Sequence, residues 1–293
     1  MEAASRGVTN PSAVLHWKTS GGELDLSCAG AVMGVLNLTP DSFSDGGRFS
    51  DLEAAVDHAL QMVGEGAQIL DLGGESTRPG SQPVSAKEEL ARVLPVLRCL
   101  RKRTNVLLSI DTSKSEVAAQ ALDEGADIVN DVTALRGDPK MLELVAKTKC
   151  GVVLMHMRGT PADMQQSPDY SDVVTEVCDF LISRVELCIQ HGIDCGRLCV
   201  DPGIGFGKSF EHNRDLLNGL PRLCSMGLPV LIGISRKAFL GQVTGITEPR
   251  ERLWAGVAVT GFARRAGAHI FRVHDVRENL HALRVTESIL SHA

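Results

Sequence analysis

Asp111, Asn130 and Asp201 each follow directly on a short apolar run, at residues 106–110, 127–129 and 197–200. Side chains that end different strands of one barrel converge on one cavity. A buried carboxylate there needs donors, or it costs several kcal/mol. A flat, donor-rich heterocycle such as an aminopyrimidine supplies them. Its adjacent N–H groups pair bidentately with a carboxylate, and an amide both donates and accepts. The competing use of these residues is a structural network capping neighbouring helices. Divalent metal binding by the two aspartates alone is disfavoured, because no His or third carboxylate joins them.

A second set is cationic: Arg78, Lys208, Arg236, Lys237, Arg272 and His274. Alternation along a strand sends Arg272 and His274 to the same side. Barrels often bind phosphate at the ends of their last two strands. Arg offers a planar fork to phosphate oxygens, and His one further donor. Asn37 would add an oxygen ligand for a Mg²⁺ shared with the phosphates. Ion pairs of Arg272 and His274 with Asp275 or Glu278 are the structural alternative. Lys237 lies close enough to Ser235 to reach the ring cavity; a Schiff-base role is countered by the carboxylates, which keep it protonated. The run Gly203-Ile204-Gly205-Phe206-Gly207 is a weak dinucleotide fingerprint, with no acidic partner. It reads as a tight turn that lays Phe206 or backbone against the ligand ring.

The elements that must position these groups follow from eight apolar runs, at 31–36, 68–70, 106–110, 127–129, 151–155, 197–200, 229–234 and 268–273. Nearly every run stops on a polar residue, and most intervals hold a helix. Helical periodicity covers 52–64, 87–101, 114–124, 171–191, 213–220, 250–265 and 276–290, with Ser113 as an N-cap. That alternation predicts a single (β/α)8 TIM barrel over 13–293, after a tail at 1–12. Residues 13–28 read as a short β-hairpin, turning at Gly21-Gly22, that plugs the barrel bottom. Two βα connections, 38–49 and 73–83, exceed the usual two to six residues. Their Gly, Pro and Ser content predicts mobile lids over the mouth.

The chain has 293 residues, 43% of them hydrophobic, which suffices for one large core. Its net charge of −6 argues against nucleic acid or an anionic membrane as partner. With neither a signal pattern nor a membrane-length apolar stretch, the expected location is cytoplasmic. The eight scattered cysteines are expected as thiols. Cys188, His191, Cys195 and Cys199 have loosely metal-like spacing, but a zinc site would need a helix and a strand to converge.

Taken together, the motifs resemble those of the dihydropteroate synthase family over essentially residues 31–290. The first signature is residues 33–47, from Met33-Gly34-Val35-Leu36-Asn37 to Asp45-Gly46-Gly47, and the second runs from Asp71-Leu72-Gly73-Gly74-Glu75 to Thr77-Arg78-Pro79-Gly80. Asp111-Thr112-Ser113, Leu154-Met155-His156-Met157, Asp201-Pro202-Gly203, Ser235-Arg236-Lys237 and Arg272-Val273-His274-Asp275-Val276 follow in family order. The resemblance implies joining 7,8-dihydropterin-6-ylmethyl pyrophosphate to 4-aminobenzoate with Mg²⁺, by dissociative C–O cleavage. It implies that Asp111, Asn130, Asp201 and Lys237 hold the pterin, with Met155 and Phe206 flanking its faces. Asn37, Arg78, Arg272 and His274 would take the pyrophosphate, Asn37 also the Mg²⁺. Phe43, Thr77, Pro79 and Ser235 would line the aminobenzoate pocket, the target of sulfonamides. The implied catalytic set is Asp111, Lys237, Arg272 and His274, and Asp111→Asn or Arg272→Ala is expected to lose activity while the fold survives. Ile204 departs from the family, where many bacterial members carry an aromatic. A homodimer through late barrel helices is also implied; Trp254, Val257 and Phe262 are candidates for that surface, with simple packing on the barrel as the alternative. A pterin-binding methyltransferase, a non-catalytic pterin-binding paralogue and a phosphate-binding aldolase are the competing readings.

Overall fold

The structure is a computed structural model that describes residues 14–39, 48–78, 80–166 and 168–291. Eight parallel strands occupy the predicted runs: β3 (Ala31–Asn37), β4 (Ile69–Gly73), β5 (Leu107–Asp111), β6 (Ile128–Asp131), β7 (Gly151–Met155), β8 (Leu198–Asp201), β9 (Leu231–Gly233) and β10 (Ile270–Val273). They pair in the order β8-β7-β6-β5-β4-β3-β10-β9, and a Val200–Val230 bridge joins the two ends. This is the closed (β/α)8 barrel, and its polar strand ends share one face.

Two apolar cores follow from the alternation of each strand. Outward residues such as Leu70, Ile110, Val152, Ile232 and Phe271 meet the helix ring and are fully buried. Inward residues Met33, Ile69, Ile128, Val153, Cys199, Leu231 and Ile270 fill the lower barrel. Trp17, on the hairpin formed by β1 (His16–Thr19) and β2 (Gly22–Asp25), closes this inner core from below. Its ring is fully buried and its Nε1 donates to the Arg197 carbonyl at 2.9 Å. Thr19 pairs with Gly22, so the turn is Ser20-Gly21, one residue earlier than expected. Contact with the barrel bottom explains the glycine: a Cβ on Gly21 would lie 2.4 Å from Asp127 Oδ1.

The long helices match their predicted spans to within a few residues: α1 (Arg48–Gly64), α2 (Ala86–Arg103), α3 (Ser115–Asp123), α5 (Val173–Gln190), α6 (Phe210–Asn218), α9 (Leu253–Arg265) and α10 (Val276–Leu290). Three further helices, α4 (Met141–Lys147), α7 (Leu220–Cys224) and α8 (Ala238–Thr244), are too short to show a helical period. Ser113 is not the N-cap of α3. Lys114 takes that position without a side-chain cap, and Asp138 Oδ2 instead accepts the Ser115 backbone N–H at 2.9 Å.

The second long loop is pinned rather than loose. Glu75 accepts Val84 N–H at 2.9 Å and pairs with Lys114 Nζ at 2.6 Å, which also holds the buried Glu89 at 2.6 Å. Gly80 N–H reaches the Pro161 carbonyl at 3.0 Å. Residues 40–47 of the first loop, and the predicted tail, lie outside the described residues. All eight cysteines are free thiols, and four of them (150, 178, 188 and 199) are buried. No described helix is long and apolar enough to cross a membrane.

Truncating the hairpin tryptophan tests the division of labour between the two ends. Trp17→Ala is expected to cost about 3–5 kcal/mol in chemical denaturation. Ligand affinity at the opposite face should stay within a factor of about two, since only the lower core loses packing.

Candidate active site

Above the apolar layer, the inward positions turn polar. Arg272 on β10 reaches past β3 to two neighbouring strands. Its Nε donates to Asp71 Oδ2 on β4 at 2.6 Å, and its Nη2 to Asp111 Oδ2 on β5 at 2.7 Å. Asn130 on β6 donates through Nδ2 to the same Asp71 oxygen at 3.0 Å. Despite burial, the two carboxylates hold the Arg272 guanidinium well above its ordinary pKa. The remaining Arg272 nitrogen, Nη1, has no protein acceptor among the described residues and is available to an anion.

Arg272, Asp111 and Asn130 line a narrow cleft open to solvent, about 330 Å³ with the solvent at its mouth included. All six residues expected to hold a ring line it: Asp111, Asn130, Met155, Asp201, Phe206 and Lys237. Thr77, Arg272, Val132 and Ile204 join them. Val132, Met155, Met157 and Met164 pack with Phe206 into an apolar wall. Lys237 Nζ lies 3.9 Å from the centre of the Phe206 ring, a cation–π contact. Carboxylates on one side and an apolar wall on another suit a flat heterocycle carrying N–H groups.

The glycine-rich turn is built to bring Phe206 there. Gly203 has φ +68°, and a Cβ on it would lie 1.9 Å from the His156 carbonyl oxygen. Lys208 braces this turn instead of joining the cationic set. It is buried, with Nζ 3.0 Å from His156 Nδ1 and 2.9 Å from the Phe206 carbonyl. Burial pushes Lys208 down to about 7 and, with the Lys208 charge, His156 down to about 3.

Arg236 is likewise drawn away. It adopts φ +63° and pairs with Asp275 at 2.7 Å, so Asp275 serves Arg236 and not Arg272 or His274. The left-handed residue lets Ser235 and Lys237 approach the mouth from either side of it. Ser235 Oγ accepts the His274 backbone N–H at 3.2 Å and lies 3.0 Å from His274 Nδ1. Asn37 Nδ2 stands 3.4 Å from His274 Nε2. Burial, then the charges of Arg236, Arg272, Arg78 and Lys237, push His274 down to about 3, so the ring is neutral. Arg78 itself is exposed on the second loop. Phe43 and Pro79 lie outside the described residues.

The charge states in the cleft are finely set. Desolvation pushes Asp111 up to about 7 against the opposing pull of Arg272. Burial raises Asp201 as well, while it lowers Lys237 to about 7 against the attraction of Asp201. Asp71, which pairs with Arg272 and Asn130, is a residue that the motif reading left without a role. Its signal was present, since it ends a strand run as Asp111 does, but its depth was not.

The family model of pterin-binding enzymes matches residues 33–274. The dihydropteroate synthase of Escherichia coli K12 is 48% identical over 271 residues, covering 92% of this chain and 95% of that relative. The chain belongs to the dihydropteroate synthase family. The family's Xanthomonas albilineans member, solved with 4-aminobenzoic acid, superposes with a TM-score of 0.89 at 46% identity, covering 95% of this chain and 99% of that one. The same organism's enzyme in complex with 7,8-dihydropteroate gives a TM-score of 0.84 at 45% identity, with 92% and 96% covered.

As a member of the dihydropteroate synthase family, the protein should bind pterins with a bell-shaped pH dependence. Asp111 loses its charge below about 7 and Lys237 loses its charge above about 7. Calorimetric titration of a pterin from about pH 5.5 to about pH 8.5 should give the tightest binding near neutrality. Asp111→Asn should flatten the acid limb and Lys237→Met the alkaline limb. Equal affinity across the range would contradict these assignments.

Proposed function

We propose that the protein condenses 7,8-dihydropterin-6-ylmethyl pyrophosphate with 4-aminobenzoate, giving 7,8-dihydropteroate and pyrophosphate, as a transferase of folate biosynthesis. The observation that carries this reading is Arg272, whose guanidinium touches the ring carboxylate Asp111 and keeps Nη1 free for an anion. Ring and leaving group thus meet at one cation.

In this reading Asp111, Asn130, Asp201 and Lys237 hold the pterin, and Met155 and Phe206 flank its faces. Arg272, His274, Asn37 and, at the rim, Arg78 take the pyrophosphate. The C–O bond breaks with its electron pair leaving on pyrophosphate, and Asp111 stabilises the positive charge spread over the ring and its methylene. The neutral amine of 4-aminobenzoate then forms the C–N bond and gives up a proton. Neutral His274, whose Nε2 accepts from Asn37 Nδ2 and whose Nδ1–H faces Ser235, would exchange one of these contacts to donate its N–H to the departing anion. Thr77 and Ser235, with Phe43 and Pro79, receive the aminobenzoate, so a sulfonamide of similar shape would compete there.

Among the described residues no cluster of three His, Cys, Asp or Glu side chains could hold a metal by itself. Asn37 still fits a Mg²⁺ that takes most of its ligands from phosphates and water, because its amide oxygen accepts no hydrogen bond from a described residue. When bound, Mg²⁺ would neutralise charge on the leaving group. Trp254 and Phe262, 70% and 48% exposed on α9, would join Val257 in a homodimer contact. The reading places the work in the cytoplasm, on small molecules rather than nucleic acid or membrane.

The test is pyrophosphate release from the pterin pyrophosphate with Mg²⁺, with and without 4-aminobenzoate, while dihydropteroate is followed by mass. Aminobenzoate-dependent product with stoichiometric pyrophosphate supports the synthase; pterin binding without condensation would overturn it. Asp111→Asn should lower kcat by about 10²–10³ in a folded protein. Arg272→Ala should lose as much in a fold that survives at reduced stability. Leaving Asp71 and Asp111 buried without their cation should also cost about 3–5 kcal/mol in denaturation.

A further inference from the structure

Asp71 is wholly buried, with 0% of its surface exposed, so it cannot touch a substrate. Yet one of its oxygens, Oδ2, takes both Arg272 Nε at 2.6 Å and Asn130 Nδ2 at 3.0 Å. Its other oxygen is buried without a partner among the described residues. We propose that Asp71 is a positioning residue and a determinant of ring specificity: through this single oxygen it orients Arg272 and sets which end of the Asn130 amide meets the ligand. The proposal rests on the pterin reading of the cleft and extends it to a residue behind the cleft wall.

The chemistry is that of an acceptor with no alternative role. An ionised carboxylate only accepts, so Asn130 must turn its NH₂ toward Asp71. Its Oδ1, without a protein partner among the described residues, then remains for the cleft that Asn130 lines. Asn130 Oδ1 joins Asp111 and Asp201 in presenting acceptors, a pattern matched by a ring edge rich in N–H groups. A ring with a carbonyl in place of the amino group would set oxygen against oxygen. An amide at position 71 can donate as well as accept, and so permits Asn130 to turn over. The same change leaves the Arg272 side edge with one carboxylate instead of two.

The experiment compares binding of a pterin and its 2-oxo analogue to the full-length protein, with the melting temperature as a control. Asp71→Asn should lower the preference for the 2-amino ring by about tenfold. In the Asn130→Ala background the same substitution should leave that preference unchanged, because the residue through which it acts is gone. A purely structural role would move stability and not this ratio. An unchanged preference in Asp71→Asn, or an equal drop in both backgrounds, would overturn the proposal. If Asp71→Asn does not fold, the exchange Asp71→Asn/Asn130→Asp keeps one carboxylate and one amide in the pair. A carboxylate at position 130 can only accept and still turns an oxygen to the cleft, so that variant should keep the preference, and a lost preference in it would refute the role. The ratio is read from binding alone, so a wild-type protein that binds pterin without making dihydropteroate would count against the condensation reading instead.

Discussion

Two aspartates on neighbouring strands face the inside of one barrel, and a single guanidinium lies between them. Asp71 and Asp111 would each be a costly buried anion without Arg272. Arg272 in turn is long enough to reach them only because β10 and β4 flank β3 in the closed sheet. Barrel closure, carboxylate placement and anion recognition are therefore one problem with one solution. The lower half of the barrel needs no such device, because its inward side chains and the Trp17 plug are apolar. Inside the barrel the apolar core lies below and the charge above, which leaves the upper layer free to be shaped by its ligands.

Rigidity in this layer comes from backbone conformations that few residues adopt. Arg236 at φ +63° separates Ser235 from Lys237, and the Asp275 pair holds it there. The glycine turn carrying Phe206 is braced from behind by Lys208 and His156. The Glu75–Lys114–Glu89 group does the same for the stem of the second loop. Each brace is a buried or half-buried polar contact, and each supports a group that faces the cleft without meeting a ligand itself.

Much of this was legible in the sequence. The eight runs ending on polar residues located the strands, and alternation alone put Arg272 and His274 on one face. The six expected ring contacts do line one cleft. Position along a chain, however, does not report depth or direction. Asp71 ends a run as Asp111 does, yet lies behind the cleft wall, and nothing local distinguishes the two. Lys208 and Arg236 sit beside site residues in sequence and are turned aside by local backbone geometry and by partners at His156 and Asp275. The helices of five to seven residues escaped because so few positions cannot establish a period. Glycine and serine in the second loop suggested mobility, whereas charged residues in and beyond it pin its stem.

The arrangement is suited to stabilising separated charge. Carboxylates lie where a ring cation would form, and a fixed guanidinium, a neutral imidazole and the Asn37 amide lie where pyrophosphate would depart. The account therefore predicts that the C–O bond is largely broken before the amine attacks. The most direct test is the secondary deuterium isotope effect on kcat/KM with the pterin methylene carrying two deuteriums. A clearly normal effect, from loosening of the methylene bonds as the cation forms, is the predicted result. An effect near unity, or inverse, would mean that the amine pushes the leaving group out, and would contradict the account.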